Sequence, residues 1–166
     1  MTSTPATPIR VCAVLVNRRE VCLIHRRRAD GDQYSLPGGL LNTGEQAADA
    51  LTRELQEELH LDISVLPHPV LRWSLDQATT RPGTGTLFRR LHLVHTLDLP
   101  DSLRTQVTAT EQDAEDTTRI LWVPLDQVAG LHLYPAVGPA LADLATTAGD
   151  TPVELPAMDD RSYSWR

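Results

Sequence analysis

The chain contains no lysine. All of its 15 basic residues are arginine, set against 22 acidic ones, for a formal net charge of −7 over 166 residues. A basic nucleic-acid-binding surface is therefore not expected. Contacts to anions must come from guanidinium groups, histidine or backbone N–H. Cysteine is nearly absent too. Cys12 and Cys22 lie in apolar stretches and form no CxxC pair, which argues against a disulfide framework or a zinc site and points to buried thiols in a reducing cytoplasm. No apolar run nears the roughly 18 residues needed to cross a bilayer. The opening MTSTPATPI lacks the basic and apolar regions of a signal peptide. Aromatic residues are only 4% of the chain, so a base-stacking surface can use only a few of them.

What is present reads as one globular domain of mixed α/β type, with 41% apolar and 22% charged residues. The expected organisation is a short flexible N-terminus (1–8), a domain over 9–148 and a polar tail over 149–166. The apolar, β-branched runs at 9–17 and 20–27 predict a hairpin. Residues 29–45, rich in Gly, Asp and Asn, predict a structured loop. Residues 46–59 lack Gly and Pro and predict a helix. Segment 62–75 is strand-like but interrupted by Pro67 and Pro69. A hairpin loop over 79–86, strands over 87–99 and 119–125, and two helical pieces near 125–131 and 136–148 complete the pattern. The polar stretch 105–118 predicts no regular element.

The helix carries an unusual charge pattern. Glu54, Glu57 and Glu58 fall within about 100° of one another around its axis. Glu54 and Glu58 repel at i,i+4, which costs roughly 0.2–0.5 kcal/mol. All three lie toward the C-terminus, where the helix dipole disfavours negative charge by roughly 0.3–1 kcal/mol. Leu51, Leu55, Leu59 and Ala48 form the adjacent face, expected to be buried. Ala47 and Ala50 lie on the acidic side and are expected to leave open space above the carboxylates. A solvated acidic face is the ordinary reading of such a cluster alone. A hard divalent cation such as Mg²⁺ or Mn²⁺ would relieve the repulsion instead.

The residues before the helix decide between these readings. The stretch LPGGLLNTGEQAADALTRELQEELHL resembles the signature of the Nudix hydrolase superfamily. Gly39, Glu45, Arg53, Glu54, Leu55, Glu57, Glu58 and Leu61 match at the right spacing, with Gly38 in the LPGG sequence typical of the family. Two departures stand out. His60 replaces the usual glycine, and Asn42 stands where many relatives carry a further glutamate.

The resemblance implies an α/β/α sandwich with a mixed sheet and a loop–helix–loop catalytic unit. It implies that Glu54, Glu57, Glu58 and the Gly39 carbonyl bind Mg²⁺, with Mn²⁺ as the alternative. Arg53 would orient a motif glutamate, Glu45 would brace the loop, and water would attack phosphorus in a diphosphate linkage. The general base would be one of the three glutamates or an acid from 105–118, Glu115 ahead of Glu111. The expected substrate is a small nucleotide: a nucleoside diphosphate joined to another group, such as a nucleotide sugar. The alternatives are a nucleoside triphosphate cleaved to monophosphate and pyrophosphate, or a domain that only senses nucleotides. No nucleic-acid or membrane partner is expected; family members often form homodimers. Arg26, Arg89, Tyr34 and Phe88 are the candidate substrate contacts. His60 reads as a helix-terminal substitute for glycine, because His visits the left-handed region more readily than most residues.

Overall fold

The computed structural model describes residues 5–108, 118–146 and 152–166. Strands β1 (Ile9–Asn17) and β2 (Glu20–Arg28) form the expected hairpin, turning through Arg18 and Arg19, both at positive φ. β1 alternates across the sheet. Val11, Ala13 and Leu15 enter one core, while Cys12 and Val14 enter the other. A strand apolar on both sides must be covered on both faces, and this one is.

The loop expected over 29–45 contains two short strands, β3 (Gly31–Ser35) and β4 (Gly38–Leu40). Its glycines hid them. Gly38 sits at φ 145, where a Cβ would lie 2.1 Å from the Val11 carbonyl oxygen, so only glycine lets β4 lie against β1. Helix α1 (Ala47–Leu59) follows, within a residue of expectation. Leu51, Leu55 and Leu59 are fully buried, each contributing roughly 1.5–3 kcal/mol. Ala50 is also fully buried, so it leaves no open space as expected; it packs beneath the helix with Leu51.

Segment 62–75 becomes a strand only after its prolines, as β5 (Val70–Thr80). β6 (Leu87–Asp98) pairs with β5 in a hairpin and runs parallel to β1. A short helix, α2 (Asp101–Arg104), was not foreseen. β7 (Thr118–Pro124) pairs with β2. A 3₁₀ turn over Leu125–Gly130, the two-residue strand β8 (Leu133–Tyr134) and helix α3 (Gly138–Thr146) come next. The tail adds β9 (Met158–Asp159), parallel to β5.

The mixed sheet runs β8-β3-β2-β1-β6-β5-β9, with β4 on β1 and β7 on β2. α1 covers one face; α3 and the 3₁₀ turn cover the other. This is the α/β/α sandwich. Among the described residues no helix is long and apolar enough to cross a membrane.

Candidate active site

The site is built where β4 meets α1. His60 ends the helix in the left-handed conformation (φ 53, ψ 29), and its N–H and that of Leu61 close onto the Gln56 and Leu55 carbonyls. The histidine thus adopts the backbone that glycine takes elsewhere. It is exposed at the helix end.

Arg53 organises the acids. Its Nε and Nη2 donate to the two oxygens of Glu45 at 2.9 and 3.0 Å, a bidentate fork. Nη1 donates to Glu54 Oε1 at 2.6 Å and reaches Glu57 only at 3.5 Å. Nη2 also donates to the Leu40 carbonyl. Glu45 accepts the Asn42 N–H as well, and the Arg53 fork holds its pKa down to about 2. One guanidinium therefore ties loop, β4 and helix together.

Glu54 lies flat against Gly39, where a Cβ would meet its carboxylate at 2.3 Å. Glu58 turns under β4 and accepts the Gly38 N–H at 2.8 Å. Burial pushes the Glu58 carboxyl up, the Gly38 N–H and Arg10 oppose this, and the neighbouring Glu54 adds to it. The unused oxygens, Glu54 Oε2 and Glu58 Oε1, have no hydrogen-bond donor among the described residues. Glu57 is largely exposed. Among the described residues no three His, Cys, Asp or Glu side chains are already gathered at metal-holding distance. Two adjoining carboxylates with oxygens to spare, one of them disfavoured as a bare anion, nonetheless fit a hard divalent ion.

The other expected site residues divide. Of the three arginines at 26–28 only Arg26 is half-buried; it donates to Ser35 at 3.4 Å and lies near enough to Glu58 to favour its charged form. Arg89 and Phe88 point to opposite faces of β6. Arg89 is exposed and faces Asp76 at 4.0 Å, because alternation in β6 puts Phe88, Arg90 and His92 on the opposite face. Phe88 is half-buried beneath the guanidinium groups of Arg81 and Arg90, at 4.4 and 4.5 Å. Tyr34 packs on His25. Glu111 and Glu115 lie outside the described residues.

Arg10, Gln77 and Thr79 had not been singled out. Arg10 donates to the carbonyls of Leu36 and Gly38 and lies 5.4 Å over the Tyr134 ring. It joins the acid cluster to a polar network buried on the sheet face. There Gln77 Oε1 accepts from Tyr134 at 2.9 Å and from His92 Nε2 at 2.8 Å, while its amide donates to Thr79. Burial, then Arg10 and Arg90, lowers the His92 pKa to about 3, so the ring is neutral. A single charge inside the apolar run IRVCAVLV was the signal for Arg10. A cavity of about 510 Å³ between α3 and the tail is lined mainly by apolar residues and none of these acids.

Residues 6–144 match the NUDIX domain family, and the chain belongs to it. It is 29% identical over 147 residues, 89% of both chains, to a Mycobacterium tuberculosis protein whose name proposes an 8-oxo-dGTP diphosphatase. The fold is that of a Burkholderia pseudomallei MutT NUDIX hydrolase (TM-score 0.59, 21% identity, 82% of this chain and 97% of that one). It is also that of the Escherichia coli dihydroneopterin triphosphate pyrophosphohydrolase (TM-score 0.61, 18% identity, 82% and 92%). The protein is a Nudix pyrophosphohydrolase, in a family whose enzymes generally depend on a divalent metal and act on small nucleotides.

Proposed function

We propose that this protein hydrolyses a nucleoside triphosphate to a nucleoside monophosphate and pyrophosphate, with Mg²⁺ held by Glu54, Glu57, Glu58 and the Gly39 carbonyl. The observation that carries the reading is the continuity from acid cluster to sheet face. Arg10 bonds β4 beside Glu58 and also covers Tyr134, so phosphate chemistry and a flat aromatic surface adjoin. The likeness over 89% of both chains to a protein named for a triphosphate substrate favours this over a nucleoside diphosphate joined to a sugar.

The bound cation would lower the pKa of a coordinated water and offset charge on the anhydride. The chain's residues do the rest. Arg53 holds Glu45 and Glu54 in place, and Gly38 N–H holds Glu58. Arg10 and Arg26 supply positive charge beside Glu58. The water oxygen bonds to phosphorus, the bridging P–O bond breaks toward pyrophosphate, and the water proton passes to the carboxylate cluster. We place the catalytic domain at 9–148 and the setting in the cytoplasm, which suits the free, buried Cys12 and Cys22.

Product identity tests the reading. Incubation of dGTP and of a nucleotide sugar with Mg²⁺ is expected to give monophosphate plus pyrophosphate from the first and little turnover of the second. The reverse preference would restore the diphosphate-derivative reading.

A further inference from the structure

The turn that carries Gly38 and Gly39 is held from two directions. Three successive carbonyls in it accept from β1. Arg10 Nη2 donates to Leu36 at 3.0 Å and to Gly38 at 3.3 Å, and between them the Ala13 N–H donates to Pro37 at 2.9 Å. From the other direction, Glu58 of α1 accepts the Gly38 N–H. Gly38 is thus gripped at both of its backbone polar groups. The next carbonyl is that of Gly39, the proposed metal ligand, and the one after it, of Leu40, accepts from Arg53.

Arg10 reaches the turn from the face opposite α1. In β1, Val11 and Ala13 enter the core under α1, whereas Cys12 enters the other, and Arg10 shares the phase of Cys12. Its guanidinium lies 5.4 Å over Tyr134, which meets Trp165 of the tail at 5.8 Å between ring centroids. A half-buried cation in an apolar strand costs desolvation, so packing alone would favour an apolar residue there. What the guanidinium contributes is donors. A buried carbonyl left without one costs about 1–3 kcal/mol, and a single Arg10 nitrogen serves two. Charge alone works the other way, since a guanidinium beside Glu58 repels a cation there. Any benefit of Arg10 to a metal site is therefore geometric.

We infer that Arg10 is a positioning residue of the metal site. It holds the 36–39 turn in the conformation that aims the Gly38 N–H at Glu58 and keeps the Gly39 backbone against Glu54. Arg53 orders the helix side of the site and Arg10 the strand side. The inference rests on the proposed function for the presence of a metal at these residues.

The test uses full-length Arg10→Lys, which keeps the charge, and Arg10→Gln, which does not. Exchange of the Gly38 amide proton is followed by nuclear magnetic resonance in the metal-free protein, with the Leu55 amide of α1 as the reference for global opening. Affinity for Mn²⁺ alone is measured by calorimetry, and kcat and KM on dGTP. Relative to the Leu55 amide, the Gly38 amide is expected to exchange about tenfold faster in both variants. Mn²⁺ should bind about ten- to a hundredfold more weakly, and kcat should fall by a similar factor with a smaller change in KM. Wild-type Mn²⁺ affinity in a folded Arg10→Lys would overturn the inference, whatever the change in its melting temperature. If Arg10→Gln does not fold, Arg10→Lys decides on the same readouts. Arg10-dependent Mn²⁺ binding in a protein that makes no dGMP from dGTP would sink the proposed function and leave the role of Arg10 standing.

Discussion

Gly39 and Glu54 are in such close contact that no side chain fits between them. A Cβ on Gly39 would lie 2.3 Å from the Glu54 carboxylate, the mobile end of a side chain. Gly39→Ala is therefore expected to fold with near-normal stability while displacing that carboxylate. Activity should drop about ten- to a hundredfold, as for other disturbed ligand shells. Gly38→Ala should behave oppositely, because its Cβ would strike the Val11 backbone oxygen at 2.1 Å with φ at 145. A loss of about 3 kcal/mol is expected. Parallel urea melts and rate assays on the two variants separate the effects.

The Arg53–Glu45 fork is geometric as well as electrostatic. Lysine keeps the charge and loses the two parallel bonds. Arg53→Lys and Glu45→Gln should each reduce kcat by about ten- to a hundredfold with smaller effects on KM. The Glu45 carboxyl is held near a pKa of about 2, below its ordinary 4.5. Its contribution to stability is therefore complete above pH 4.5 and lost as pH falls toward 2. Acid titration of Glu45→Gln should show a flatter profile across that window.

His60→Gly is expected to stabilise. Histidine in the left-handed region costs about 1–2 kcal/mol, partly offset by the extra freedom glycine has in the unfolded chain. The net gain should be about 1 kcal/mol, or about 2–4 °C in Tm. Activity should be unchanged, since the His60 side chain is exposed at the helix end. A loss of metal affinity in calorimetry would give the ring a role in the site.

His92 predicts a second pH dependence. Burial lowers its pKa from 6.5 to about 3, so the unfolded chain binds the proton first on acidification. Stability should be constant above pH 6.5 and fall between 6.5 and 3, with about 2 kcal/mol lost by pH 5. His95 and His132 are lowered too and act in the same direction. His92→Gln should remove the larger part of the slope in denaturant melts from pH 7 to 5.

The family was legible because its motif is local. Gly38 to Leu61 is one continuous stretch, and the conflict between three glutamates and their own helix is visible without coordinates. The turn to β4 was not legible, since glycine reads as loop until the Val11 carbonyl shows why it must be glycine. The polar and aromatic sheet face beside the acid cluster was harder, because it is assembled from distant segments. Arg10, Gln77, His92, Tyr134 and Trp165 come from β1, β5, β6, β8 and the tail. For Arg89 against Arg90 the outcome depended on strand phase, which two adjacent arginines cannot reveal. The tail's docking rests on Tyr163, Trp165 and Met158, three apolar residues without a period in a polar segment.

The most direct test is dGTP turnover with Mg²⁺ by the wild type, Glu57→Gln and Glu58→Gln, with products separated chromatographically. The account predicts dGMP and pyrophosphate from the wild type, and a fall in kcat of about a hundredfold or more in both variants, which keep the fold but remove charge from the metal site. Full metal-dependent hydrolysis in either variant would contradict it.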